Sequence, residues 1–271
     1  MKNTIVLIGC GNMGFAMLTG WLGKYPELDA HVVEPVASLH QRAQQAGARV
    51  VAEIANLPAE LVPKLVVLAV KPQMIDGVAA QCQNLAASGA TFVSVAAGVT
   101  LDRIAQSLSR PAPLIRCMPN TPASIGAGMM VLTARSDVSA ETRDFVESLF
   151  ASSGEVAWND DESLMDAVTA ISGSGPAYVF YFIETLSEAG EKLGLTREIA
   201  RKLALQTVRG AGQLAALSND SPAVLREQVT SPGGTTAAAL KVLMADDGLS
   251  ALVFKAATAA RDRSVELGKA N

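Results

Sequence analysis

Gly9-Cys10-Gly11-Asn12-Met13-Gly14 follows an apolar run at residues 4–9 and opens an amphipathic stretch at 13–22. The G-x-G-x-x-G spacing therefore falls between a predicted strand and a predicted helix, in the first βα turn of a series. Each glycine has its own reason there. Gly9 permits the tight turn, Gly11 lets the backbone approach a pyrophosphate, and Gly14 lets helix and strand pack closely. The helix N-terminus beyond, with the backbone of Cys10, Asn12 and Met13 beside it, offers N–H donors and a positive dipole end to phosphate. Glu34 ends the second predicted strand, twenty residues past Gly14. A carboxylate there takes the adenosine ribose hydroxyls of NAD and repels a 2′-phosphate. Ser38, His40 and Arg42 follow within reach of such a phosphate, so both NADPH and NADH are open.

Reduction of a carbonyl, or its reverse, needs a group that moves the oxygen's proton, commonly His or Lys. The only histidines, His31 and His40, lie in the first βαβ unit and read as surface or cofactor-edge positions. Lys192, Lys202, Lys241, Lys255 and Lys269 read as solvated positions on helices. A C=N substrate asks for less: a protonated imine is already electrophilic, and the amine acquires its proton from water. Such a site needs an anchor for the substrate and a polar neighbour for nitrogen. Two further glycine loops offer anchors, Ser172-Gly173-Ser174-Gly175-Pro176-Ala177-Tyr178 and Thr230-Ser231-Pro232-Gly233-Gly234-Thr235-Thr236. Each puts small residues and hydroxyls just before a predicted helix, a nest of N–H groups suited to a carboxylate. Helix capping and close packing by glycine explain the same residues in structural terms.

The elements that position these loops change character along the chain. Apolar runs at 4–9, 31–34, 64–70, 91–95 and 114–118 lack alternation, as strands buried on both faces of a parallel sheet do. Amphipathic stretches at 13–22, 36–46 and 74–86 lie between them, which makes βαβ units. A run at 129–133 adds an expected edge strand before a helix capped by Ser139. From Asn159 on, only helices are expected: Asn159-x-x-Glu162 reads as a capping box, Pro176 starts a long helix, Thr196 and Ser221 cap two more, and 235–244 and 249–267 complete the set. The expected fold is a doubly wound α/β sheet of the Rossmann type over 1–158, followed by an all-α substrate and dimerisation domain over 159–271. Small and apolar residues on several helix faces predict pairing with another subunit.

Composition narrows the class. The 271 residues are 49% apolar and 18% charged with a net charge of −4, and no basic cluster appears, which argues against nucleic acid. No run is long enough to span a membrane, and the apolar part of the N-terminus is too short for a signal peptide. Cys10, Cys82 and Cys117 are scattered, with neither a disulfide framework nor metal-ligand spacing. A cytoplasmic protein without a metal is expected.

The chain resembles the pyrroline-5-carboxylate reductases. The likeness runs through the 9–14 loop, Ala69-Val70-Lys71-Pro72, Ala96-Ala97-Gly98-Val99, Arg116-Cys117-Met118-Pro119-Asn120-Thr121-Pro122, Asp166-Ala167-Val168-Thr169 and the two later glycine loops. It implies reduction of 1-pyrroline-5-carboxylate to L-proline by NADPH or NADH. It also implies that Asn56, Val70, Lys71, Pro72 and Ala97 flank the dinucleotide. By the same likeness the substrate carboxylate sits on the backbone of Gly233, Gly234 and Thr235, and Thr236 meets the ring nitrogen. Val229 and Ser231 line the ring, and Glu162 lies near the substrate. Gln228 stands where some members carry Asn. Family members form dimers and rings of dimers, with the active site where one subunit's helical half meets its partner's nucleotide half. Two rivals are a β-hydroxyacid-type dehydrogenase, which calls for a lysine beside a glycine loop, and a catalytically silent NAD(P)-binding regulator.

Overall fold

Strands β1 (Thr4–Ile8), β2 (Asp29–Val33), β3 (Arg49–Val51), β4 (Leu65–Leu68), β5 (Thr91–Ser94), β6 (Leu114–Met118), β7 (Gly128–Ala134) and β8 (Gly154–Trp158) form one sheet in the order β3-β2-β1-β4-β5-β6-β7-β8. This is a computed structural model, and it describes residues 3–269. All neighbours pair in parallel except β6 and β7, which are antiparallel. Successive residues of one strand enter different cores. Ile5 and Leu7 join Met17, Trp21 and Phe150 on one face, while Val6 and Ile8 join Ile75, Phe92 and Ile104 on the other. That is why these strands read as mostly apolar runs: with both faces covered, polar residues such as His31 in β2 and Arg116 in β6 are the exceptions and are themselves buried. Each fully buried aliphatic side chain contributes about 1.5–3 kcal/mol of transfer free energy.

The helices of this part are α1 (Asn12–Lys24), α2 (Ala37–Gln45), α3 (Ile75–Gln81), α4 (Gln83–Ala87), α5 (Leu101–Leu108), α6 (Ala140–Phe150) and α7 (Met165–Val168). The second part holds α8 (Gly175–Lys192), α9 (Arg197–Leu217), α10 (Pro222–Gln228), α11 (Thr235–Leu243) and the start of α12 (Leu249–Lys269). The chain divides into two compact units: one runs to Ser174 and resumes at Ala260, the other is Gly175–Ala259. Within the second unit α8 and α9 pack closely, since a Cβ on Gly190 would lie 3.0 Å from the Cβ of Ala200. Phe180, Tyr181, Val242 and Phe254 of this unit are all more than half exposed. Among the described residues, no helix is long and apolar enough to cross a membrane.

The structure departs from several sequence expectations. The first compact unit runs on to Ser174, because the segment that follows β8 packs on the sheet: Met165 is buried with Met118 and Val131. The run at 129–133 is not an edge, since β8 pairs outside it. The helix expected over 74–86 breaks at Cys82, where φ −89° and ψ 11° leave the helical basin. The capping box does not form, because Asp161 takes the cap position, its carboxylate accepting from the Ser163 N–H at 2.9 Å. The 172–178 loop is not an open nest either, since Gly175 onward is already α8. Thr169–Gly173 is a π-turn continuing α7, and Ser174 N–H donates to Thr169 O at 2.8 Å.

Candidate active site

In open sheets of this kind ligands bind beyond the carboxyl ends of the strands, where the strand order reverses. Here the reversal lies between β1 and β4. The glycines of the first loop divide between two explanations. Gly9 has φ +91°, and a Cβ there would lie 2.6 Å from Ala69 O and 2.9 Å from a Val70 methyl. A Cβ on Gly14 would lie 2.4 Å from Gly9 O. Protein backbone alone therefore requires glycine at both. Gly11 is different: its φ of −62° suits any residue, and a Cβ would meet nothing within 4 Å. The space beside Gly11 suits the close approach of a bound group. Gly11 caps α1 without a side-chain hydrogen bond, and the first turn of α1, with Asn12, Met13 and Gly14, contains no acidic residue. Its N–H groups thus have no partner within the helix, and no side-chain carboxylate competes for them. The loop fits a dinucleotide pyrophosphate.

Glu34 lies directly beyond β2, is 5% exposed, and points into the loop. Its Oε2 accepts from the Cys10 N–H at 2.7 Å and its Oε1 from the Val36 N–H at 2.9 Å. Arg42 holds the other side: Nη2 donates to Cys10 O at 2.9 Å and Gly11 O at 3.3 Å, and the guanidinium carbon stands 4.0 Å from the Phe15 ring centre. Both polar groups of the Cys10 backbone are held by side chains of opposite charge. Burial pushes the Cys10 thiol up to about 11, with Arg42 opposing the rise and Glu34 adding to it, so this thiol is no nucleophile. A groove of about 410 Å³ runs past the loop, lined by Asn12, Met13, Arg42, Thr121 and Ser124 among others. His31, expected near the surface, is buried within β2, its Nε2 3.5 Å from Asp29 Oδ2. A strand covered on both faces leaves it no route to a ligand.

Val70 packs against Gly9, and Lys71 precedes a 3₁₀ turn (Pro72–Met74) beyond β4 with its side chain exposed. Asn56 is exposed in the 3₁₀ turn Ile54–Asn56. Ala97, beyond β5, packs with Met118, Val131 and Met165. The structure thus brings the exits of β1, β2, β4 and β5 to one edge of the sheet. Glu162 belongs to this unit as well, and its carboxylate is engaged: Oε1 accepts from the Leu101 N–H at 2.7 Å and lies 3.4 Å from Arg116 Nη1. Arg116 was not singled out from sequence. The signal was there, since it is the one charge within the apolar run 114–118. Asp166, which lies in one of the motifs that carry the resemblance, and Ser264, which carried no sequence signal, complete its surroundings.

In the second unit, residues 229–234 connect α10 to α11, which opens with Thr235 and Thr236. Val229 is 64% exposed, Gly233 has φ +71°, and Gly234 N–H donates to Ser231 O at 3.0 Å. Gly234 caps α11 without a side-chain hydrogen bond, and the first turn, which holds Thr235 and Thr236, has no acidic residue. This is a second helix start whose donors face no internal competitor. The only basic residue that α11 carries near an end is Lys241, in its last turn.

Residues 4–98 match the family described as NADP oxidoreductase, coenzyme F420-dependent, and residues 162–267 match pyrroline-5-carboxylate reductase dimerisation. The pyrroline-5-carboxylate reductase of Pseudomonas aeruginosa is 43% identical over 270 residues, covering 98% of this chain and 97% of that protein. Among solved structures, a pyrroline-5-carboxylate reductase from Coxiella burnetii superposes with a TM-score of 0.90 at 36% identity, covering 98% of each chain. The Plasmodium falciparum pyrroline carboxylate reductase with NADP bound superposes with a TM-score of 0.82 at 28% identity, covering 98% of this chain and 99% of that one.

Proposed function

The chain belongs to the pyrroline-5-carboxylate reductase family, and from that premise we propose that it reduces 1-pyrroline-5-carboxylate to L-proline, completing proline synthesis. The observation that carries this reading is the start of α11, where a glycine-led turn and two threonines offer backbone donors without a side-chain cap or an acid. A small carboxylate gains roughly 0.3–1 kcal/mol at such a helix start, and up to about 2 kcal/mol where it is partly buried.

NADPH or NADH supplies the hydride. The 9–14 loop, braced by Glu34 and Arg42, would hold the pyrophosphate on the N–H groups at the start of α1, with Asn56, Val70, Lys71, Pro72 and Ala97 along the dinucleotide. Gly233, Gly234 and Thr235 would take the substrate carboxylate, Val229 and Ser231 the ring, and Glu162 the substrate's neighbourhood. The carbon of the C=N bond gains the hydride, the π electrons pass to nitrogen, and the amine takes its proton from water. Thr236 would hold the ring nitrogen through that change. Orientation of this kind can recover about 7–11 kcal/mol of the barrier. A lysine proton donor beside the glycine turn, which a β-hydroxyacid dehydrogenase would need, is missing, since Lys241 stands at the far end of α11. The protein is an oligomer; dimers, and rings of dimers built from them, are the assembly this reading expects. Three buried free cysteines suit the reducing cytoplasm.

Following nicotinamide absorbance with 1-pyrroline-5-carboxylate, in separate runs with NADPH and NADH, tests the reading. Thr236→Ala should lower kcat by roughly 10- to 100-fold, the effect of one hydrogen bond to a charged group, with the Kd for NADPH nearly unchanged. No oxidation with either nucleotide would refute the activity, and equal losses in kcat and NADPH binding would refute the role of Thr236.

A further inference from the structure

We propose that the last turns of α12, residues 264–268, are a positioning strap for the turn at 97–101, which leaves β5 and, on the reading above, flanks the dinucleotide. Two independent seats hold the strap. In the first, backbone meets backbone. Gly98 has φ +74°, and a Cβ there would lie 3.0 Å from both Gly268 N and Ser264 O. A Cβ on Gly268 would lie 2.5 Å from Gly98 O. Neither position has room for a side chain.

The second seat is a chain of polar contacts ending at the same turn. Ser264, 3% exposed, donates from Oγ to Asp166 Oδ1 at 2.6 Å. That oxygen is 4.0 Å from Arg116 Nη2, and Arg116 Nη1 is 3.4 Å from Glu162 Oε1. The same Glu162 oxygen accepts the Leu101 N–H at 2.7 Å, so its charge sits at the positive end of α5. Arg116 is 2% exposed and neither its Nε nor its Nη2 has a hydrogen-bond partner, so the guanidinium depends on the charges of these two carboxylates to offset its burial. Ser264, Asp166 and Arg116 thus act as positioning residues that work through Glu162: together they fix where Ala97 and Gly98 stand. A misplacement of about 1 Å can cost on the order of a hundredfold in rate, so the strap belongs to the reaction as well as to the fold.

Gly268→Ala and Ser264→Ala in the full chain test this. In the nucleotide-free protein, amide exchange across 97–101 should accelerate by about tenfold, the effect of one lost hydrogen bond. With 1-pyrroline-5-carboxylate, kcat should fall about 10- to 100-fold, KM for NADPH should change far less, and the isotope effect with NADPH deuterated at the transferred position should rise. Alanine favours helix over glycine, so a loss in Gly268→Ala does not come from a weaker α12. Should Gly268→Ala fail to fold, Ser264→Ala decides by the same readouts, with Ser264→Thr restoring the hydroxyl and the rate. Unchanged exchange at 97–101 in Ser264→Ala overturns the strap, as does faster exchange with kcat and isotope effect intact. A parent protein that reduces no pyrroline-5-carboxylate defeats the functional reading instead, and faster exchange in the variants would still support the strap.

Discussion

Glu34 ties the glycine loop to the exit of β2 through the N–H groups of Cys10 and Val36, one to each carboxylate oxygen. Glu34→Gln would turn an amide NH₂ toward one of those donors. We expect a stability loss of about 1–3 kcal/mol, the cost of a buried donor left without an acceptor, together with weaker binding of both NADPH and NADH. Urea unfolding and a nucleotide titration by fluorescence check this. If Glu34 served chiefly to repel a 2′-phosphate, the variant would improve NADPH binding alone. The residue type and its place at the end of β2 were legible in the sequence. Its direction was not, because that depends on Arg42 and the Cys10 backbone, which only the folded sheet brings together. Thr236, by contrast, follows its glycine turn directly in sequence, and local spacing was enough to place it in the first turn of a helix.

At the scale of elements, the α3–α5 pair rests on Asp76. Its carboxylate accepts from Arg103 Nη2 at 2.6 Å and Ser107 Oγ at 2.7 Å. Hydrogen bonds from Arg103, then Ser107, hold its carboxyl below the ordinary 3.8. A depressed carboxyl stabilises the fold above its unfolded value and loses that contribution as pH falls through the folded one. With its side chain 49% exposed, Asp76 is screened by solvent, and Asp76→Asn should cost about 0.5–1 kcal/mol at pH 7. The gap between parent and variant in urea unfolding should close as pH falls below 3.8; a gap that widened there would contradict the assignment. The strands buried on both faces were plain in sequence, since apolar residues dominate them and do not alternate with polar ones. β3, three residues long, and the half-buried β8 were not, because short or partly exposed strands lack that signature. The capping pattern at Asn159 and Glu162 misled for a related reason: a tertiary partner, Leu101, outcompeted the local one.

For the whole molecule, large apolar side chains lie bare on the second unit, with Phe254 76% and Tyr181 65% exposed in the single chain. Exposure on this scale marks an interface, and Phe254→Asp should shift the protein toward monomer in light scattering while near-native helicity is kept. An unchanged mass would remove Phe254 from the interface. The small and apolar residues that predicted pairing were visible in the helices' sequence. The return of α12 to the first unit was not, since Ser264 and Gly268 look like any small residues on a helix until Gly98 and Asp166 are seen beside them. Where the ring acid lies decides the roles of both helix starts. A crystal structure with L-proline bound should show its carboxylate within hydrogen-bond reach of the N–H groups at the start of α11 and its nitrogen beside Thr236. Proline seated away from residues 229–236, with that helix start facing solvent, would contradict it.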